Sequence, residues 1–168
     1  MPDSKPATQE HRDRLAERVS AASYGTVLII ASLLVVEADD VESGWGWELV
    51  AGVGVATWLA HLYAEVLGNH VRNVDAGRAH EVRKAMADGL PILLSAVLPA
   101  SALLFGRLGA LQPRQALWVA VILSIVQLVA IGVFVGILSE QTSSSWRYAV
   151  TAAGFGLGVV LFLVALGH

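Results

Sequence analysis

The sequence predicts an all-α, polytopic membrane protein with five transmembrane helices, its N-terminus cytoplasmic and its C-terminus outside. Three observations predict it. Apolar residues are gathered into runs near 20 long, and about 20 residues rising 1.5 Å each match a hydrocarbon core of roughly 30 Å. Of 168 residues, 55% are hydrophobic and 15% charged, with a mean hydropathy of +0.63, whereas a water-soluble domain carries about a quarter charged residues. Finally, the basic residues segregate to alternate connections between the runs, as the positive-inside rule requires.

The elements follow in order. Residues 1–18 are a polar tail. Its first six (MPDSKP) are expected to lack regular structure, and 7–18 (ATQEHRDRLAER) suit a short amphipathic cytoplasmic helix running into the membrane. The tail lacks the apolar core and small-residue cleavage site of a signal peptide, so insertion is expected to rely on the first span. That span is about 19–36 (VSAASYGTVLIIASLLVV). An acidic loop with Glu37, Asp39, Asp40 and Glu42 follows, and Trp45 and Trp47 then stand where an interfacial anchor belongs. The second span is about 48–67. The polar segment 69–89 reads as a cytoplasmic loop, helical in part. The third span, about 90–108, carries Pro91 and Pro99. A tight connection at Leu111, Gln112, Pro113 and Arg114 leads into the fourth, about 115–138. A serine-rich turn (SEQTSSSWR) precedes the fifth, about 147–166. The five spans make one domain, 19–168, with no internal repeat of about 20–50 residues.

The orientation comes from charge. Lys5, Arg12, Arg14 and Arg18 precede the first span, Arg72, Arg78, Arg83 and Lys84 follow the second, and Arg147 follows the fourth; the other side has Arg107 and Arg114 beside the acidic cluster. Nine basic residues against two place the N-terminus inside. Arg outnumbers Lys, and Ala, Gly and Val are abundant. That bias is associated with GC-rich bacterial genomes and makes a bacterial plasma membrane the expected location.

The residues that point to chemistry are His61 and Glu65, inside the otherwise apolar stretch 47–68 (WELVAGVGVATWLAHLYAEVLG). Four apart, they lie one above the other on a helix face. Ionisable groups at membrane depth are costly, and they mark an ion path, a proton relay or a ligand site. Gly54, Thr57, Trp58, His61, Glu65 and Gly68 fall on or near one stripe, whose small residues let helices approach closely. Imidazole with carboxylate suits a borderline divalent cation such as Fe2+ or Mn2+. One His and one Glu are too few ligands; a two-fold dimer doubles them to four. The alternative is structural, with His61 bonded to a neighbouring helix and Glu65 snorkelling to the interface.

Other polar positions have weaker patterns. Ser20, Ser23, Tyr24, Gly25 and Thr26 cluster at a similar depth; Tyr24 and the serines either orient an imidazole or serve helix packing. Pro91, Ser95, Pro99 and Ser101 share the third span, where a proline frees a carbonyl and makes a hinge, an exposed backbone oxygen or a plain kink. Ser124 and Gln127 are expected to hydrogen-bond between helices. His70, Asp75, His80, Glu81 and Asp88 read as a solvated charged face, with His80 and Glu81 able to catch a metal transiently.

Several classes are excluded. Without cysteine there are no disulfides, thiolate metal sites or cysteine nucleophiles. There is no Gly-x-Ser-x-Gly and no Walker loop. Five histidines cannot build the eight-histidine cage of a membrane desaturase, and His61-Leu62-Tyr63-Ala64-Glu65 is not HExxH. No basic surface supports nucleic-acid binding. Neither an enzyme nor a tightly bound cofactor is expected.

Four local patterns resemble the vacuolar iron transporter family. Tyr24-Gly25-Thr26-Val27 stands where that family opens its first span with Asp-Gly-(Leu/Ile)-Val. Ala60-His61-Leu62-Tyr63-Ala64-Glu65-Val66 stands at its Ser-Met-x-x-x-Glu-Tyr. Ser95-Ala96-Val97-Leu98-Pro99 fits its Gly-x-x-x-Pro. Gly132, Gly136, Trp146, Arg147, Gly154 and Gly167 echo its fourth and fifth spans. The resemblance covers roughly 10–167. It implies five spans in a homodimer, with a path between protomers by which cytosolic Fe2+ or Mn2+ leaves in exchange for protons. It carries over Glu65 as a ligand, and puts His61 at a methionine ligand's place and Tyr24 at that of an essential aspartate. Tyr24, Thr57, Ser95 and Pro99 are candidates for lining the cation's path or holding its ligands in place. The expected function is therefore proton-coupled export of a divalent metal. The alternatives are a non-transporting structural or partner-binding protein of the same fold with a degenerate metal site, or a carrier or channel for another ion.

Overall fold

In a bilayer every backbone N–H and C=O must find its partner within the protein, so apolar runs of this length fold as helices. The structure is a computed structural model that describes residues 7–71 and 78–138, with Thr151, Gly154 and Gly158 beyond them. It is all-helical over the described residues: α1 (Ala7–Leu33), α2 (Ala38–Ser43), α3 (Trp45–Val71), α4 (Arg78–Arg107) and α5 (Pro113–Leu138). Among the described residues, three helical stretches are long and apolar enough to cross a membrane: Trp45–Gly68, Val82–Arg107 and Pro113–Val135. The expected fifth span and the serine-rich turn before it lie outside the described residues, apart from Thr151, Gly154 and Gly158.

The first expected span is shorter than its apolar run. α1 begins in the polar tail and continues without a break to Leu33, so residues 34–36 are not helical. At about 1.5 Å per residue, the helical part from 19 to 33 rises roughly 22 Å, less than a full hydrocarbon core. The cause is a turn in which Val35 N–H donates to Ser32 O and Val36 N–H to Leu33 O, both at 3.3 Å. Val36 is then buried instead of continuing the helix; its Cγ1 sits 2.9 Å from where a Cβ on Gly46 would lie.

The expected acidic loop is a helix. In α2, Asp40 Oδ2 accepts from Glu37 N–H at 2.8 Å, and Asp39 and Asp40 occupy the first turn, where the exposed amides favour negative charge. Gly44 ends it in the left-handed region at φ 91°, and its N–H donates to Asp40 O and Val41 O. A side chain at Gly44 would also collide with the Arg107 guanidinium. The expected cytoplasmic loop is short: α3 runs to Val71 and α4 starts at Arg78, with 72–77 outside the described residues. Both prolines lie inside α4, which passes through Pro91 and Pro99 as one helix.

α4 is the axis of the bundle and packs against α1, α2, α3 and α5. It gets close through small residues. A Cβ on Gly25 would lie 2.8 Å from Ser95 Oγ, one on Gly54 2.7 Å from Ala96 Cβ, and one on Gly106 2.6 Å from Ala116 Cβ. The packed core sits toward the α2 end, where Ile29, Leu33, Val41, Val50, Leu103 and Ala120 are buried together. At the other end α1, α3 and α4 diverge around polar side chains. Apolar residues on the outside, among them Val55, Leu59, Leu94, Leu98, Trp118 and Ile122, are exposed, as lipid-facing positions of a membrane bundle are.

The hydroxyls do not join helices as expected. Thr26, Ser32, Ser95, Ser101 and Ser124 donate to the carbonyl three or four residues earlier in their own helix, at 2.6–2.9 Å. A carbonyl is always in reach there, and helices joined by Gly and Ala need no polar bridge. Gln127 Oε1 is buried without a partner.

Gly54→Leu is expected to wedge α3 from α4 and destabilise the fold by about 1–3 kcal/mol, read as a lower Tm of the detergent-solubilised protein. Ile122→Leu, at an outward position of α5 that is 55% exposed, is expected to leave Tm unchanged. Equal Tm losses in the two variants would contradict this packing.

Candidate functional site

The open end of the bundle is a chamber of about 670 Å³ between α1, α3 and α4. Its polar wall is formed by Glu17, Ser20 and Tyr24 of α1, His61 and Glu65 of α3, and Lys84 and Asp88 of α4. Each helix contributes residues three or four apart, so one face of each turns inward.

His61 and Glu65 lie in the last turns of the candidate span ending at Gly68, about 10 Å and 5 Å from that end. Their helical spacing puts His61 Nε2 3.9 Å from Glu65 Oε2. That is too long for a hydrogen bond, and Glu65 Oε2 is buried without any. His61 is held against α4 by Gly89: a Cβ there would meet His61 Cδ2 at 3.1 Å and Trp58 Cδ1 at 3.0 Å. Trp58 completes the seam, its Nε1 donating to Met86 O at 3.4 Å.

Asp88 departs from its expected place on a solvated face. Its side chain is 6% exposed, Oδ1 is 3.4 Å from Arg18 Nε, and Oδ2 is buried with no partner. The sequence carried a signal: Asp88 stands seven residues, two turns, before Ser95 and directly before Gly89 and the apolar run of α4, inside a helix long enough to span. His70, Asp75, His80 and Glu81 lie outside the residues whose side chains are described.

Of the other candidates, Tyr24 lines the chamber, 58% exposed. Thr57, Ser95 and Pro99 are buried among the helices and are not among the chamber's lining residues. Ser95 instead faces a smaller cleft of about 300 Å³ with Thr26, Pro91 and Gln127. Three carboxylates thus share the chamber with one ammonium and the His61 imidazole, and Arg18, which does not line the chamber, reaches Asp88 from α1. Glu17, His61, Lys84 and Asp88 are all within electrostatic reach of Glu65. Among the described residues no three His, Asp or Glu side chains converge as a preformed metal cluster. Comparison with protein-family models, with curated proteins and with solved structures found no match.

The absence of cysteine makes the chamber testable by single-cysteine labelling. Ser20→Cys, on the chamber wall, is expected to react with a membrane-impermeant charged thiosulfonate in nanodiscs, and Ser95→Cys, 5% exposed in the native chain, to stay unmodified. An unreactive Ser20→Cys would mean a chamber closed to water.

Proposed function

We propose that this chain is a membrane transporter for a divalent cation, Fe2+ or Mn2+, exporting it from the cytosol in exchange for protons. One observation carries the proposal: His61 Nε2 and Glu65 Oε2 stand 3.9 Å apart on the wall of a polar chamber, at the end of a helix long enough to span a bilayer. Donors about 2.1 Å from a common ion stand roughly 3.0–3.4 Å apart at octahedral or tetrahedral angles, so a side-chain rotation that closes this gap by less than about 1 Å lets the two share one divalent ion. Proton exchange is assigned to the same imidazole, because one ring nitrogen cannot hold a proton and the cation at once.

The proposed arrangement is a homodimer of five-span protomers in a bacterial plasma membrane, N-termini inside. A second copy doubles the donors. α3 offers it a face, with Gly52, Ala56, Ala60 and Ala64 exposed at four-residue intervals, spacing that permits close helix approach in lipid. The resemblance to vacuolar iron transporters supports the same reading, with Tyr24 in place of the aspartate. No enzymatic role is proposed.

The test is flux in proteoliposomes, with an internal metal-quenched dye for Mn2+ or Fe2+ and a pH dye for protons. Wild-type protein is expected to move metal and protons in opposite directions, and His61→Ala and Glu65→Gln to slow both by about tenfold or more. Wild-type rates in both variants would contradict the proposal. No metal flux by folded wild-type protein would favour the non-transporting alternative.

A further inference from the structure

Asp88 and Arg18 are unexplained by a site made of His61 and Glu65. A carboxylate that is 94% buried by its side chain and has one oxygen without a partner is expensive unless something occupies that oxygen. Its other oxygen faces Arg18 Nε at 3.4 Å, a loose contact for a guanidinium and carboxylate. Arg18 itself is half exposed, with 51% of its side chain open. Asp88 lines the same chamber as His61 and Glu65, one helix away, and lies within electrostatic reach of Glu65.

We infer that Asp88 joins His61 and Glu65 as a ligand once a divalent cation enters, the three not being converged beforehand, and that Arg18 is its tethered counter-ion, holding the carboxylate until then. The inference rests on the cation-binding reading and adds to it an exchange of partners. Two carboxylates lining one chamber repel each other. The Arg18 guanidinium, outside the chamber's lining and half exposed, relieves that repulsion without filling the chamber. A divalent ion between Glu65 and Asp88 neutralises both and leaves Arg18 free to return to solvent. Lys84, on the same helix one turn before Asp88, also lines the chamber, and its charge opposes any entering cation. The two partners of Asp88 then compete, so removing each has an opposite effect on affinity. This is unlike a purely structural ion pair, where removing either partner only weakens the fold.

The experiment is calorimetric titration of the purified full-length protein in nanodiscs with Mn2+, on the wild type, Asp88→Asn, Arg18→Gln and the double variant. Asp88→Asn is expected to weaken Mn2+ binding by about tenfold or more. Arg18→Gln is expected to tighten it by about fivefold, a gain that misfolding cannot produce. The double variant is expected to match Asp88→Asn, because Arg18 acts only through that carboxylate. Unchanged affinity in Asp88→Asn, or unchanged or weaker binding in Arg18→Gln, overturns this inference while leaving the His61 and Glu65 site intact. If wild-type protein binds no Mn2+, the cation reading falls and this inference with it.

Discussion

The structure depends on how closely α4 can approach its neighbours. Helices in lipid gain little from apolar burial against one another, since acyl chains are as apolar as Leu; association rests on close van der Waals fit. Here glycines on α1, α3 and α4 remove the side chains that would hold the backbones apart, at Gly25, Gly54 and Gly106. The seam is tightest toward α2, where the buried cluster gathers. Farther along, the same helix opens from its neighbours into the polar chamber, except at Gly89, which draws the His61 ring against α4 directly beside Asp88. One packing rule thus produces both a closed, apolar end and an imidazole positioned at the edge of an open, polar one.

Polar satisfaction separates structural groups from those with spare capacity. The hydroxyls of Thr26, Ser32, Ser95 and Ser124 are absorbed by carbonyls of their own helices. Among the described residues, buried side-chain atoms without a partner are Trp47 Nε1, Gln127 Oε1, Glu65 Oε2 and Asp88 Oδ2. The last two are carboxylate oxygens lining one chamber. An unmade hydrogen bond to a buried carboxylate oxygen costs more than one to a neutral atom, so these two are the least satisfied side-chain atoms among the described residues. At the opposite end Arg107 and Glu48, 3.8 Å apart and both exposed, form a surface pair of small energetic weight.

The helical class and the three long apolar helices were legible from hydropathy, because run length against bilayer thickness is a strong one-dimensional signal. α5 begins at Pro113, two residues before its expected start. Less legible were the ends of helices. Residues 34–36 are as apolar as the helix before them, and nothing local shows that Val36 is needed over Gly46. The acidic loop became α2 through the pairing of Glu37 with Asp40, a capping pattern more often read with Ser or Thr in first place. In the site, His61 and Glu65 were visible because apolar neighbours isolate them. Asp88 was hidden by charged neighbours on its N-terminal side, which made a buried carboxylate look like the end of a solvated face. Its burial is a tertiary fact, set by α1 and Arg18 seventy residues away.

In the proposed site a divalent cation is held in the chamber by imidazole and at least one carboxylate. Pulsed electron paramagnetic resonance of Mn2+ added to the protein in nanodiscs reads such a ligand set. The expected result is a nitrogen hyperfine coupling from directly bound imidazole, present in the wild type and absent in His61→Gln. Mn2+ that shows only water ligands in the wild-type protein would contradict it.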